Sequence, residues 1–358
     1  MKNITNEIIK KTPNEKYTAV EVILPGVVEP SGLLIEEKEI ASPKPGQVIL
    51  KMQATGISFA EQSMRRDRYP GQPKFPFVPG YDLVGGVVAI GEGVDPSKIG
   101  KRYAVLTKSG GWATMAIVNA DDLLPVPDEV SAVNAEAIVV NGITAWQMLH
   151  REAKIKKGQT VLVHGANGGV GTLLVQLAQI SGVKVIGTAS PRHHEALISQ
   201  GVIPVDYNDP NLEETIRGLA PDGLDAAFDN VGVASVSMSF RLLKKGGTLV
   251  SYAVASSLKK TDSLVMQFLV LIGKILWWTI LPNGKRATFY NIWSGKGSAA
   301  FKNNMREDFA GLTKLLSQGT LKAKIAKVFP LTDVVKAMEF AESRTAYGKV
   351  ILVPDLVC

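Results

Sequence analysis

Four glycines, Gly165, Gly168, Gly169 and Gly171, follow directly on a short β-branched run, TVLVH (160–164), and open an apolar stretch that reads as a helix. Glycine lets a chain turn tightly and lets backbone N–H groups approach a ligand closely. The first turn of a helix adds unpaired N–H groups and a partial positive charge. Together these features suit a pyrophosphate, and dinucleotide-binding folds use the same order of strand, glycine turn and helix. The backbone of Gly168, Gly169, Val170 and Gly171 is the predicted cradle.

A second group bears on which dinucleotide is held. The next predicted strand, KVIGTA, ends at Ser190, and Pro191 and Arg192 follow. NAD sites usually present a carboxylate here, about 20 residues past the glycines, to hold the ribose 2′-hydroxyl. A hydroxyl and a guanidinium suit a 2′-phosphate instead, so NADP(H) is the expected cofactor. His193 and His194 fall on the adenosine side and read as surface residues. Tyr207, just past the third strand, is placed to pack against an adenine ring. Asn230 and Val231 end the fourth strand, where the carboxyl ends of a parallel sheet meet their ligands. Asp229 beside them reads as structural rather than as a base.

These residues need a frame. Predicted strands at 160–164, 183–189, 202–206, 224–229 and 248–252 alternate with helices near 170–181, 192–200, 211–219 and 234–244, the pattern of a parallel sheet covered on both faces. Ahead of them, SAVNAEAIVVNGITAWQMLHREA reads as helical runs on either side of Asn141-Gly142. Further upstream, residues 17–57 carry three strand signals punctuated by Pro and Gly. Residues 82–90 carry another, with Gly85-Gly86 suggesting a bend or bulge, and KRYAVLT follows. This half predicts a small, antiparallel, partly closed β domain that ends near Pro125 and Pro127. The tail holds helices near 306–317 and 332–343 and a last strand, GKVILVP. It resembles the first domain more than the sheet domain, so the chain is expected to return to the domain it began with.

Composition removes several functions. At 358 residues the chain predicts two domains, and 46% hydrophobic with 20% charged residues is ordinary for a globular protein. The net charge is +7, yet basic residues occur only in short pairs such as Lys10-Lys11, Lys156-Lys157 and Lys259-Lys260. No basic helix with interleaved aromatics and no finger spacing is present, so nucleic acid is not an expected partner. Cys358 is the one cysteine. It allows no internal disulfide and no thiolate zinc cage, and it fits a reducing, cytoplasmic setting. The first sixteen residues lack the apolar core and cleavage site of a secretory signal. The most apolar run, 264–281, is interrupted by Gln267, Gly273 and Lys274. It predicts a buried or interface helix, and Trp277-Trp278 beside Lys274 leaves a substrate-pocket or membrane-surface role open.

The stretches GISFAEQSMRRDRYP (56–70), PFVPGYDLVGGVVAIGEGV (76–94), NGITAWQML (141–149), HGANGGVGTLLVQLA (164–178), FDNVG (228–232) and YGKVILV (347–353) resemble the medium-chain dehydrogenase/reductase superfamily. The likeness is to its zinc-free quinone oxidoreductase branch and extends over nearly the whole chain. It implies a Rossmann-like doubly wound parallel sheet inserted in a GroES-like, partly closed β domain. The catalytic domain would occupy 1–140 and the NADP-binding domain 141–300. Residues 301–358 would complete the catalytic domain, and a homodimer is implied.

Zinc-dependent relatives carry a metal-binding His where Tyr81 stands and a Cys near Ser58, and this chain lacks their four-cysteine loop. Neither zinc nor flavin is expected, which argues against dehydrogenation of ordinary alcohols. The resemblance implies hydride transfer from NADPH to a small apolar quinone or α,β-unsaturated carbonyl, with neutral donors meeting the charge that develops on oxygen. Tyr69, in the family's Tyr-Pro pair, and Ser58 are the catalytic candidates, and Tyr81 is a substrate contact and further donor. The branch often has Asn at the position of Ser58 and Tyr at that of Ser63. Thr144 aligns with a threonine that approaches the nicotinamide. The stretch 256–300 is longer than in compact reductases and similar to a feature of VAT-1-like proteins. Trp277, Trp278 and Tyr290 would make it a substrate lid, a dimer surface or a membrane contact. The alternative function is an NADPH-binding peripheral membrane or interaction protein with little activity.

Overall fold

The structure is a computed structural model that describes residues 17–233, 235–253 and 264–355. The first sixteen residues, Cys358 and residues 256–263 of the aromatic stretch lie outside the described residues. Two compact units form: Met1–Val140 with Lys327–Thr345 and Val350–Cys358, and Asn141–Ala326 with Ala346–Lys349.

The first unit opens with β1 (Tyr17–Ile23) and β2 (Leu34–Ile40), paired antiparallel from Tyr17 opposite Ile40 to Ile23 opposite Leu34. Next come β3 (Gln47–Ile57), the short helix α1 (Phe59–Met64), β4 (Asp82–Ile90), β5 (Arg102–Leu106), β6 (Met115–Asn119), β7 (Leu124–Pro125) and α2 (Ala132–Ile138). The long strand β3 is the spine and pairs antiparallel with both β4 and β6. Its alternation sends Val48 and Leu50 into a core shared with Leu83, Val87 and Val105. The β3–β4 register shifts between Met52 and Ala54. A Cβ on Gly85 would overlap Lys51 O, so that glycine permits the close approach of the strands there.

In the second unit, α3 (Val140–Trp146) runs straight through Asn141-Gly142 and continues as a π turn over Gln147–Glu152. The expected break at Asn141-Gly142 is absent. The chain bends one step earlier, at Val139, where ψ is −87°. The strands are β8 (Thr160–His164), β9 (Lys184–Ala189), β10 (Ile203–Asp206), β11 (Leu224–Asp229), β12 (Leu243–Ser251) and β13 (Arg286–Phe289). β13 is a further strand, beyond the five that the sequence pattern predicts. Between and after them lie α4 (Gly169–Ile180), α5 (His194–Ile198), α6 (Leu212–Leu219), α7 (Val236–Leu242), α8 (Leu264–Ile280) and α9 (Ala299–Ser317). The sheet is parallel throughout, in the order β10-β9-β8-β11-β12-β13. The chain therefore winds outward in one direction from β8, then in the other from β11. The point of reversal lies between those two strands, where such sheets bind ligands. Leu162, Ile186, Ala227 and Leu249 from the strands meet Ile216, Val236 and Leu271 from the helices in one core.

The sequence reading assigned residues from 301 onward to the returning segment, yet α9 belongs to the sheet unit. Its buried Asp308 accepts Gln147 Nε2 at 2.7 Å and Arg151 Nη2 at 2.7 Å, which ties α9 to the turn after α3. The return consists of β14 (Ile325–Pro330), α10 (Val334–Glu342) and β15 (Lys349–Val353). The first sheet then reads β14-β15-β3-β4-β5-β7, with β6 also on β3 and Val350 opposite Ile57.

Candidate active site

On the sheet unit, Gly168 is the N-cap of α4 and offers no side chain to the amides of the first turn. Those N–H groups face outward from the helix end, together with its partial positive charge. Two of its glycines are closely approached. A Cβ on Gly171 would overlap Gly165 O, and one on Gly169 would fall 2.5 Å from Asn141 Nδ2. Gly165 has φ +63, and the Asn230 side chain packs over it. The glycine turn after β8 and the Asn230-Val231 turn after β11 thus meet at the reversal point of the sheet. The glycine turn fits the diphosphate half of a dinucleotide. Asn141, buried beside Gly169, is read in the sequence only as a break between helices and not as a site residue.

Behind the two turns runs a buried chain of hydrogen bonds with defined direction. Asp229 Oδ1 accepts the amides of Val231 (2.9 Å) and Gly232 (3.1 Å) and the Ser235 hydroxyl (2.7 Å). Its Oδ2 accepts the Ser239 hydroxyl at 2.8 Å. Ser239 has then spent its proton, so it accepts from His164 Nε2, 3.0 Å away. His164 Nδ1 consequently accepts from Thr188 Oγ1 at 3.1 Å, and Thr188 in turn accepts the Gly165 amide at 3.3 Å. Burial pushes the His164 pKa below its ordinary value, against the pull of Asp229, and the imidazole stays neutral. Ser, His and Asp here align three strand ends with the glycine turn rather than form a nucleophile. Asp229 is structural, because four donors already claim its carboxylate.

At the end of β9, Arg192 is exposed and its Nε lies 3.3 Å from Ser190 Oγ. Tyr207 is 48% exposed. These two polar groups and one ring are available to an adenosine 2′-phosphate. The expectation that His193 is a surface residue fails. His193 is buried, with its ring centroid 5.7 Å from that of Tyr347. His194 is half-buried, a ring nitrogen 3.2 Å from Ala189 O.

On the first unit, Ser58 caps α1. Its hydroxyl accepts the Ala60 amide at 3.1 Å and donates to Glu61 Oε2 at 2.5 Å, and the Ser58 amide donates to the same oxygen at 2.8 Å. Ser58 therefore has no proton left for an acceptor while it caps the helix. The structure thus places this catalytic candidate in a helix cap. Ser63 likewise turns inward, donating to Phe59 O at 2.8 Å. The other oxygen of the buried Glu61 accepts the Tyr81 amide at 2.7 Å. Tyr81 Oη lies 2.5 Å from Tyr69 Oη, so the structure brings these two predicted residues together. Glu61 had not been singled out, although Ser-x-x-Glu at 58–61 is the pattern of a capping box. Among the described residues no three His, Cys, Asp or Glu side chains are grouped as a metal shell.

Three residues expected to make one aromatic lid, dimer surface or membrane contact have three different environments. Tyr290 is buried and donates to Gln147 Oε1 at 2.8 Å. Burial pushes its pKa above the ordinary phenol value, and Thr144 hydrogen-bonds to the same hydroxyl. Tyr290, a predicted substrate contact, is thus placed in the core of its unit, and Thr144 is engaged with it. Trp278 stacks on Phe240, centroids 4.4 Å apart and planes 6° from parallel. Trp277, on the other face of α8, is 61% exposed. No described helix is long and apolar enough to cross a membrane.

Residues 44–128 match the family model described as alcohol dehydrogenase GroES-like domain, and residues 200–352 match zinc-binding dehydrogenase. The chain is 32% identical to the human synaptic vesicle membrane protein VAT-1 homolog, over 87% of this chain and 80% of that protein. It is 30% identical to a probable quinone oxidoreductase of Schizosaccharomyces pombe, over 90% and 94% of the two chains. Its fold matches that of the mycobacterial protein Rv1454c complexed with NADPH, with a TM-score of 0.79, 25% identity and coverage of 94% and 100%. With the GroES-like β unit, the doubly wound sheet and these similarities together, the chain belongs to the medium-chain dehydrogenase/reductase superfamily as a quinone-oxidoreductase-like member.

Proposed function

We propose that this chain is an NADPH-dependent oxidoreductase that transfers hydride directly to a quinone or an α,β-unsaturated carbonyl, without zinc or flavin. The observation that carries the reading is the glycine cradle at the head of α4, followed at the end of β9 by a hydroxyl and a guanidinium in place of a carboxylate. The NADPH complex of the mycobacterial relative and the name of the yeast relative support it. When bound, the nicotinamide supplies the hydride.

The amides of Gly169, Val170 and Gly171 hold the diphosphate by direct donation and by the helix charge. Ser190 and Arg192 bind the 2′-phosphate, Tyr207 covers the adenine, and Asn230 and Val231 line the nicotinamide side. On the first unit, Tyr69 donates to the acceptor oxygen as negative charge develops there. A zinc shell would need lone pairs at positions 58 and 81, and both hydroxyls are already engaged, one in a helix cap and one with Tyr69. The enzyme acts as a homodimer in the cytoplasm, and sedimentation at equilibrium tests the dimer.

The deciding experiment follows the loss of reduced nicotinamide absorbance with NADPH and NADH in parallel, against quinones and enones of increasing apolar bulk. NADPH-selective turnover is the expected result. Tight NADPH binding with no turnover of any acceptor refutes the enzyme reading.

One observation favours a second reading, an NADPH-binding protein that works at a membrane surface. Leu271 and Ile275 bury one face of α8, while Met266, Leu269, Leu276, Trp277 and Ile280 leave an apolar stripe exposed on the other. Water is a poor solvent for such a stripe. Co-sedimentation with anionic vesicles, abolished by Trp277→Glu, together with absent turnover is the outcome that favours it.

A further inference from the structure

A short polar contact at the candidate site joins two phenols. Tyr69 Oη and Tyr81 Oη lie 2.5 Å apart, and their rings meet edge to face with centroids 5.7 Å apart and planes at 80°. In that bond one hydroxyl donates and the other accepts. Charge that builds on the accepting oxygen is met at once by the O–H of its partner, so the accepting phenol gives up its own proton more easily.

Either hydroxyl can be the donor, and the surroundings of the two differ. Tyr81 is 3% exposed, and its backbone is held from both sides. Glu61 Oε1 takes its amide at 2.7 Å, and its carbonyl accepts the amides of Thr107 at 2.9 Å and Lys108 at 3.1 Å. The preceding Gly80 has φ +99, and a Cβ there would overlap Trp112 N, so the approach to Tyr81 is fixed as well. Tyr69 is half-buried and sits in a turn between Asp67 at φ +53 and Gly71 at φ +68. The buried, clamped phenol is suited to donate, and the more accessible one to deliver a proton outward.

We infer that Tyr81 is a positioning residue for proton delivery: it holds Tyr69 Oη in place and donates to it while Tyr69 protonates the acceptor. This rests on the reductase reading above. The acceptor gains two electrons and one hydrogen as hydride from the reduced cofactor, which becomes NADP⁺, and its oxygen gains one proton from Tyr69. The Tyr81 proton passes to Tyr69, and a proton from water returns to Tyr81 by way of the half-buried Tyr69, since Tyr81 itself is only 3% exposed. The sum is acceptor, NADPH and one proton giving reduced acceptor and NADP⁺.

Tyr81→Phe removes one oxygen and keeps the ring contact. With an acceptor that the wild type reduces, it lowers kcat about tenfold, the worth of one hydrogen bond to a developing charge, and leaves the acceptor KM nearly unchanged. Tyr69→Phe loses at least as much, and the double variant is no slower than Tyr69→Phe alone, because both changes break one path. A residue that only stabilises the fold would lower the urea midpoint without that kcat-against-KM split and without non-additivity.

The wild type supplies a test that needs no variant. In mixtures of H₂O and D₂O, two protons moving together make kcat fall along a curve with deuterium fraction. A Tyr81→Phe enzyme with wild-type kcat, multiplicative losses in the double variant, or a linear deuterium dependence overturns the inference while leaving the reductase reading intact. A wild type that oxidises NADPH with no quinone or enone overturns the reductase reading, and this inference with it.

Discussion

Replacing Asp229 by alanine tests whether the buried chain behind the two cofactor turns holds them in place. The magnitude follows from counting what the carboxylate accepts. Ser235 Oγ also lies 3.2 Å from Gly232 O, so its proton has a second acceptor. Ser239 turns its proton to His164 Nε2, 3.0 Å away, once the imidazole shifts its own proton to Nδ1. The Val231 and Gly232 amides have no such recourse, and each buried donor left without an acceptor costs about 1–3 kcal/mol. Asp229→Ala should therefore lose about 4 kcal/mol, a large fraction of the roughly 5–15 kcal/mol that holds a typical protein folded.

Asp229→Asn separates acceptor capacity from charge. The amide oxygen can still take both backbone N–H groups and Ser235, and only the Ser239 contact must reverse. A loss near 1 kcal/mol is expected, the net worth of one hydrogen bond. Urea unfolding at pH 7 measures both variants, and a constant slope would show that only stability has changed. NADPH titration of the folded variants should show weaker binding for alanine than for asparagine, since Asn230 and Val231 ride on the same turn. Equal losses for alanine and asparagine would mean that the charge, not the two amides, matters, and the reasoning would fall. So would a loss below about 1 kcal/mol for alanine.

Stability should also depend on pH through His164, whose folded pKa burial depresses below the ordinary 6.5. Its contribution is complete above the unfolded value of about 6.5 and is lost as pH falls below it, by up to about 1.4 kcal/mol per pH unit, because only the unfolded chain takes up the proton. Urea midpoints measured from pH 7.5 down to about pH 5 should fall for the wild type and fall less for His164→Gln. Gly171→Ala should cost about 3 kcal/mol and abolish NADPH binding, because the new methyl group overlaps Gly165 O and α4 must move away from its turn. Fluorescence titration together with thermal melting reads both effects. Arg192→Ala should raise the NADPH KM about tenfold or more and leave the NADH KM nearly unchanged, which steady-state kinetics with the two cofactors compares directly.

The cofactor half of the site was legible because its chemistry is local. A β-branched run, four glycines and a helix act within a few residues of one another, and each constrains the backbone at its own position. The absence of a carboxylate at Ser190 is equally local. Ser58 and Glu61 were also within reach, three residues apart in a capping pattern, although their meaning for Tyr81 was not. The partnerships that give the site its geometry join residues far apart in the chain: Tyr81 with Glu61 across 20 positions and His164 with Ser239 across 75. Hydroxyl, imidazole and carboxylate side chains occur throughout the sequence, and only the parallel sheet selects which of them meet. In α8 the two adjacent indoles were inseparable for a different reason. A run that is apolar on most of its faces carries too little periodicity to distinguish Trp278, stacked on Phe240, from its exposed neighbour Trp277.

The two units differ in how they hold their polar groups, and the difference matches what each must do. On the sheet unit, Asp229 gathers four donors and His164 passes the same order to Gly165, so each proton in that chain has an assigned direction. A phosphate cradle gains from such rigidity, since its amides must already point at the ligand before it arrives. On the first unit, Glu61 fixes a helix cap and the Tyr81 backbone, yet the link between Tyr81 and Tyr69 is a bond between two hydroxyls, either of which can donate. That symmetry is what proton delivery requires, because a donor that has given up a proton must be able to accept one back without moving its ring.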